Sequence, residues 1–281
     1  MLWIIRVKEE ILYNLSTMKK IFIYSNNDSV SLEVKKKLDN LFTSLNIGMT
    51  ANFSNDVDFV ISIGGDGTFL STVKEINYTD IPILGINTGH LGFYAEYTPN
   101  ELDEVVLTCK ENNYKIQNYK TIKVDAELED KKITLDPALN DVFVKHGSSS
   151  IVHLDLYIGK ELIENFSGDG ILVSSSAGST AYNYSLGGSI VDPRNNLLQI
   201  TPVAPANNAA YRSITSSLVV PANETINIVP KDEDNTILVV DGNENRLTRI
   251  KKISIALQDK EIKIVRRNNY SFWSKVRSKF L

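Results

Sequence analysis

The chain has 281 residues, 42% of them hydrophobic and 23% charged, with a formal net charge of −4. That length suffices for two domains with separate cores, and so ordinary a composition excludes a fibre or a disordered chain. A negative charge supplies no overall field for a nucleic-acid backbone, the single Cys109 cannot close an intramolecular disulfide, and no run of 18 apolar residues predicts a membrane span; we therefore expect a cytoplasmic protein with neither nucleic acid nor membrane as partner.

Residues 1–17 fit poorly with the first strand and read as an N-terminal extension, whereas Met18-Lys-Lys-Ile-Phe-Ile-Tyr24 runs directly into that strand. After the polar cluster Asn26-Asn-Asp-Ser29, the residues Leu32, Val34, Leu38, Leu41 and Phe42 recur at mainly helical spacing, with Lys35, Lys36 and Lys37 as a solvated face. Residues 57–63 form a near-continuous apolar run, as expected of a parallel strand covered on both faces. Gly64, Gly65 and Gly67 then remove three side chains within four residues, so the backbone can turn sharply and another molecule can approach its N–H groups. Thr68 can cap the next helix, which carries Phe69, Leu70, Val73 and Ile76 and points the positive end of its dipole at the turn, a place suited to phosphate.

Residues 81–86 form another short strand ending in Asn87-Thr-Gly-His-Leu-Gly-Phe93, which makes Asn87 and His90 candidate crevice residues. Residues 99–112 read as a helix with Leu102, Val105, Val106 and Cys109 on one side; buried there, Cys109 is a small core residue. The alternation predicts an α/β domain over residues 18–117 with a parallel, Rossmann-like sheet and a ligand crevice at the carboxyl ends of its strands. From residue 119 the texture changes to short β-rich runs at 121–128, 139–145, 151–158, 170–173, 197–203, 218–220, 225–229, 236–240, 250–257 and 261–265. Such spacing predicts a β-rich domain of sandwich type over residues 118–267. The tail, residues 268–281, carries Phe272, Trp273, Val276 and Phe280 on one helical face and is expected to return to the first domain.

Two constellations carry chemistry. Asp66 stands in the glycine turn where a carboxylate would repel a phosphate; it can accept a proton from a hydroxyl that attacks phosphorus, hold a magnesium ion, or bond its own backbone in a tight turn. The segment from Asn165 to Val191 combines a second Gly-Asp-Gly, at Gly168-Asp169-Gly170, with a helix start at Gly178-Ser-Thr180, whose hydroxyls and free N–H groups can bind polar ligand atoms. Tyr182 offers an aromatic face for a base, or alternatively fills a core.

Together these motifs resemble those of bacterial NAD kinases. Gly64-Gly-Asp-Gly-Thr-Phe-Leu70 is similar to that family's first motif, Ala138-Leu-Asn140-Asp141 to its Asn-Glu/Asp motif, and Gly168 through Tyr182 to its glycine-rich segment; Asn87 to Phe93 also follows the pattern. The first motif alone is shared with diacylglycerol kinases, sphingosine kinases and phosphofructokinases, so a lipid or sugar kinase and a non-catalytic dinucleotide sensor stand as alternatives. The resemblance implies transfer of the terminal phosphate of ATP, or of polyphosphate, to the 2′-hydroxyl of the adenosine ribose of NAD, with Mg2+ accompanying the donor, no metal ligand assigned in the protein, and a homo-oligomer, most simply a tetramer. It implies Asp66 as general base and Gly64, Gly65, Gly67 and Thr68 around the donor phosphates. NAD would meet Gly67, Asn140, Asp141, Asp169, Ala177, Thr180, Ala181, Tyr182 and Ser185, with Asn140 and Asp141 on the adenosine and Asp169 on the nicotinamide half. The chain departs from the family at Ser176 and Ala177, where a proline and a hydroxyl are often found, and an aspartate at 141 is one methylene shorter than the more usual glutamate. Val240-Asp241-Gly242 resembles a late turn able to approach ligand or a neighbouring subunit.

Overall fold

The computed structural model describes residues 19–208 and 212–281, so the expectation for residues 1–17 lies outside the described residues. The chain divides into two compact units, one made of residues up to Gln117 with Ile262–Leu281, the other of Asn118–Glu261.

In the first unit β1 (Lys20–Ser25), β2 (Gly48–Thr50), β3 (Phe59–Ile63) and β4 (Ile83–Ile86) form a parallel sheet in the order β2-β1-β3-β4. Ile264 pairs in parallel with Ile83 and extends it. Every residue of β3 and β4 is buried, because helices cover the sheet and leave no polar face. The helices are α1 (Ser29–Ser44), α2 (Asp66–Glu75) and α3 (Leu102–Glu111). Val34, Leu38 and Phe42 of α1 recur every four residues and join Ile21, Phe59, Ile61, Leu84, Val105, Cys109 and Val265 in one core. Asp28 caps α1 by accepting the Ser31 N–H at 2.9 Å, a contact worth about 1 kcal/mol. Burial pushes the Cys109 thiol up to about 12, which leaves it an inert core group. The C-terminal helix Phe272–Phe280 sets Phe272 and Phe280 against Phe93, with ring centroids 6.2 and 5.6 Å apart, so the tail packs within this unit; Trp273, predicted on the same face, is exposed.

The second unit carries β5 (Lys115–Leu128), β6 (Lys132–Thr134), β7 (Asp141–His146), β8 (Val152–Ile158), β9 (Glu161–Gly168), β10 (Gly170–Ser175), β11 (Leu197–Val203), β12 (Leu218–Pro221), β13 (Ile226–Pro230), β14 (Thr236–Val240), β15 (Asn243–Arg246) and β16 (Ile250–Arg266). The ends of β5 and β16, at residues 115–117 and 262–266, belong to the first unit. One antiparallel sheet runs β12-β11-β10-β7-β14-β15, and the other orders β16-β13-β8-β9 with β5 on β16 and β6 on β5. Val142, Val144, Ile171, Val173 and Leu238 of the first meet Leu154, Leu156, Ile226, Ile228, Ile253 and Ile255 of the second in one apolar layer, the sandwich that short alternating runs predict. No helix among the described residues is long and apolar enough to cross a membrane.

Several local expectations are corrected. Thr68 does not cap α2, which begins two residues earlier with Gly65 as its N-cap. Gly178-Ser-Thr180 is not the start of an α-helix: residues Ala177–Thr180 form a 3-10 turn, and a single α-helical turn comes after it at Tyr182–Ser185. The runs 250–257 and 261–265 are one strand, β16. Its polar middle stays extended because Gln258 donates to the Thr121 hydroxyl at 2.8 Å, that hydroxyl donates to the Lys260 carbonyl at 2.9 Å, and Lys120 pairs with Asp259.

Candidate active site

The glycine turn closes the carboxyl ends of β3 and β4, with the Gly64 N–H donating to the Ile86 carbonyl at 3.0 Å. Gly64 has φ 153°, and a Cβ there would lie 2.2 Å from the Thr68 hydroxyl, so Thr68 leans back into the space that glycine leaves. Asp66 is the first residue of α2 and is half-buried. Its carboxylate does not bond its own turn. Oδ2 accepts the Phe93 N–H at 2.9 Å and Oδ1 the Tyr94 N–H at 3.1 Å, from the far end of the loop after β4. Gly92 has to be glycine, since a Cβ would stand 2.2 Å from Oδ1. Each oxygen spends one lone pair on an N–H and retains another, so the carboxylate is fixed in orientation and still able to accept a proton. Asn87 spends its side chain shaping that loop, donating to the Gly89 and His90 carbonyls at 3.2 and 3.0 Å, and His90 is exposed.

The second unit contains another carboxylate clamp. Asp241, in the left-handed conformation at φ 45°, accepts the N–H groups of Leu139, Asn140 and Asp141 at 2.6, 2.8 and 3.1 Å. The predicted pair Asn140-Asp141 is therefore held from behind by a residue a hundred positions later, a role that a Val-Asp-Gly turn does not announce. Asn140 and Asp141 are both buried. Burial, reinforced by the nearby Asp241 carboxylate, pushes Asp141 up to about 7. Burial also raises Asp241 against the pull of its three N–H donors. Those three donors favour the ionised form of Asp241, so of the two Asp141 is the carboxyl more readily protonated.

The glycine-rich segment packs on the same backbone. A Cβ at Gly178 would lie 2.1 Å from the Asn140 carbonyl oxygen, which accepts the Ser175 N–H at 2.9 Å, while the Ser175 hydroxyl donates to the Leu139 carbonyl at 2.6 Å. Tyr182 is exposed and meets Phe143 of β7 edge-on at 5.8 Å, so it is a surface ring and not core. The structure thus brings Asn140 and Gly178 together next to Asp141, with Tyr182 on Phe143 two residues further along β7. Ala177, Thr180 and Ala181 are half-buried, and Ser185 and Asp169 are exposed, the latter with its N–H on the Val203 carbonyl at 3.0 Å. Ser176, standing where a proline is common, ties its hydroxyl to the Asn195 carbonyl instead. Asn183 is fully buried and accepts from Thr201 at 2.7 Å, an internal brace for the helical turn that the motif alone does not reveal. Among the described residues no group of three or more His, Cys, Asp or Glu is placed to hold a metal ion.

The sequence model of the ATP-NAD kinase N-terminal domain matches residues 8–114, and that of the ATP-NAD kinase C-terminal domain matches residues 139–266. An NAD kinase of Finegoldia magna is 35% identical over 269 residues, covering 94% of this chain and 98% of its own, and one of Levilactobacillus brevis is 35% identical over 267 residues, covering 93% and 98%. The chain belongs to the NAD kinase family. Solved structures share the fold at lower identity. A yeast NADH kinase complexed with NADH superposes with a TM-score of 0.81 at 22% identity, over 92% of this chain and 86% of that one. An Archaeoglobus fulgidus NAD kinase in complex with ATP gives 0.74 at 21%, over 92% and 98%. Membership makes this chain a kinase, in agreement with the carboxylate in its first glycine turn, and favours the NAD reading over a lipid or sugar kinase.

Proposed function

We propose that this NAD kinase transfers the terminal phosphoryl group of ATP to the 2′-hydroxyl of the adenosine ribose of NAD, giving NADP. The observation that carries the reading is the Asp66 carboxylate, oriented by two backbone N–H groups and with a lone pair still available on each oxygen. In the step, the ribose hydroxyl gives its proton to Asp66 as its oxygen bonds to the γ-phosphorus. The bond from that phosphorus to the bridging oxygen breaks, and ADP leaves. Gly64, Gly65, Gly67 and Thr68 lie at the N-terminus of α2, where N–H groups other than that of Gly64, which bonds Ile86, suit donor phosphates, Gly67 also coming close to NAD.

Asn140 and Asp141 hold the adenosine, with Asp141 donating a proton or accepting one according to its state. Tyr182 packs against the adenosine, Ala177, Thr180, Ala181 and Ser185 add contacts around it, and Asp169 orients the nicotinamide half. Magnesium would accompany the phosphates of the donor and neutralise them. The protein acts in the cytoplasm as a homo-oligomer, most simply a tetramer, whose interfaces protect the edges of so strand-rich a unit. Residues 18–117 with 262–281 serve as the phosphate-handling domain and 118–261 as the NAD-binding domain, so the second boundary, expected at 267, falls six residues earlier.

The test is incubation with NAD, magnesium and either ATP or polyphosphate. NADP formed with ATP supports the reading, NADP formed with polyphosphate alone replaces the donor, and binding of NAD without turnover makes the protein a sensor. Light scattering that returns one chain mass at micromolar concentration removes the oligomer.

A further inference from the structure

We propose that Arg266, backed by the C-terminal helix, is a positioning residue for Asp66; the proposal rests on the kinase reading above. Both N–H groups that grip Asp66 belong to the segment 91–96, and the opposite side of that segment is held by cations from the chain's C-terminal end. The Phe93 carbonyl and the Tyr94 N–H are two ends of one peptide group. Its oxygen accepts Arg266 Nη1 at 2.9 Å, and its N–H donates to Asp66 Oδ1 at 3.1 Å. The same Nη1 reaches the Tyr94 carbonyl at 3.1 Å and Glu96 Oε1 at 2.7 Å, while Nε donates to Gln117 at 2.7 Å. The guanidinium lies 4.3 Å over the Tyr270 ring, and Arg266 is 1% exposed.

A planar fork buried with this many acceptors has one position available to it, and through the shared peptide so does the Tyr94 N–H. Lys275 adds the Ala95 carbonyl and Glu96, at 2.8 Å from the latter, Lys279 takes the Leu91 carbonyl, and Phe272 and Phe280 bracket Phe93. Residues 89–91 are exposed, and these contacts join the stack of Tyr94 on Phe69 at 4.6 Å and the Glu96 N–H on the Gly85 carbonyl in fixing the end of the loop that meets the base. A general base has to present its lone pair along the hydroxyl, and misplacement by an ångström costs on the order of 100-fold in rate. Arg266 touches no reacting atom. Its contribution is the direction in which Asp66 points.

The experiment compares Arg266→Lys, Lys275→Met and Arg267→Gln in the full-length chain, with kcat, the Kd for NAD measured without ATP, and melting temperature for each. Arg266→Lys keeps a charge beside Glu96 but loses the Nε bond to Gln117 and the planar face over Tyr270 that fix where Nη1 lies; kcat is expected to fall roughly 10- to 100-fold with the NAD Kd within about twofold. Lys275→Met leaves Glu96 paired with Arg266 and is expected to lower kcat several-fold, so it carries the test if Arg266→Lys does not fold. Arg267 pairs with Glu101 and Glu104 on the other side of the strand end, and its variant should lose stability with kcat unchanged. Unchanged kcat in a folded Arg266→Lys protein, or a loss shared equally by kcat and NAD affinity, overturns the proposal. A parent protein that forms no NADP overturns the kinase reading along with it.

Discussion

Two aspartates in this molecule do the same mechanical work in different electrostatic company. Asp66 and Asp241 each collect backbone N–H groups from a distant loop, two in one case and three in the other. Behind the loop that Asp66 grips lie Arg266, Lys275 and Glu96, so the negative charge of the carboxylate sits in a network that contains its opposite. Asp241 faces a second carboxylate, Asp141, which burial and that neighbour push up to about 7. The clamp built from this acidic pair holds a proton that leaves near neutrality. The difference places that titration in the unit assigned to NAD.

The sharpest way to break this comparison is Asp66→Asn. Asparagine accepts only one of the two N–H groups and turns an NH2 toward the other, so the change removes the base and half of the clamp; kcat should fall by roughly 10²- to 10⁴-fold with NAD affinity little altered. Near-normal turnover would return Asp66 to the role of a turn residue. Next in size is Asp241→Ala, which strips three N–H groups of their acceptor at about 1–3 kcal/mol each; urea denaturation should register a loss of several kcal/mol, and the NAD Kd should rise while the chemical step in bound complexes persists.

The paired glycine variants sharpen the contrast. Gly92→Ala drives a Cβ into Asp66 Oδ1 and should lower kcat more than affinity, whereas Gly178→Ala drives one into the Asn140 carbonyl and should weaken NAD binding first. Initial-rate kinetics and calorimetry distinguish the two outcomes, and identical behaviour would erase the proposed division of labour. The smallest effect concerns Asp141. Its folded-state pKa is raised, so the folded protein binds that proton more tightly than the unfolded chain; the resulting stability is present below the unfolded value near 4, is lost progressively as pH rises toward about 7, and does not change further above it. Melting temperatures from pH 4 to 8 should show this slope in the parent and a flatter one in Asp141→Asn.

The strand, glycine turn and helix around Asp66 were legible in the sequence because each depends on neighbours a few residues away. The same locality made the core positions of α1 and α3 readable. What Asp66 holds was not legible, since the Phe93 and Tyr94 N–H groups come from a separate loop and nothing in Gly-Phe-Tyr marks a donor. Asp241 was harder still, because its partners precede it by a hundred residues. β9 escaped notice because Glu161, Leu162 and Asn165 are exposed and only its last three residues are buried. β15, Asn243-Glu-Asn-Arg246, is an edge strand with no apolar pattern at all. Thr68 was misassigned as a cap for a related reason. Its hydroxyl answers the space at Gly64, not an unsatisfied helix terminus.

The strand β16 has a consequence for the order in which the protein is made. Residues 118–261 leave the ribosome as one continuous piece and can assemble their apolar layer as soon as they emerge. The first unit begins sooner but cannot finish, since Ile264, Val265 and Arg266 and the helix that braces residues 91–96 are translated only after the whole of the second unit. At about 5–20 residues per second, the 164 residues from 118 to 281 take on the order of ten seconds to synthesise. During that interval the edge of β4 and its apolar core wait without their last strand, exposed to other nascent chains and to chaperones. The part of the sequence that emerges first is thus the part that matures last.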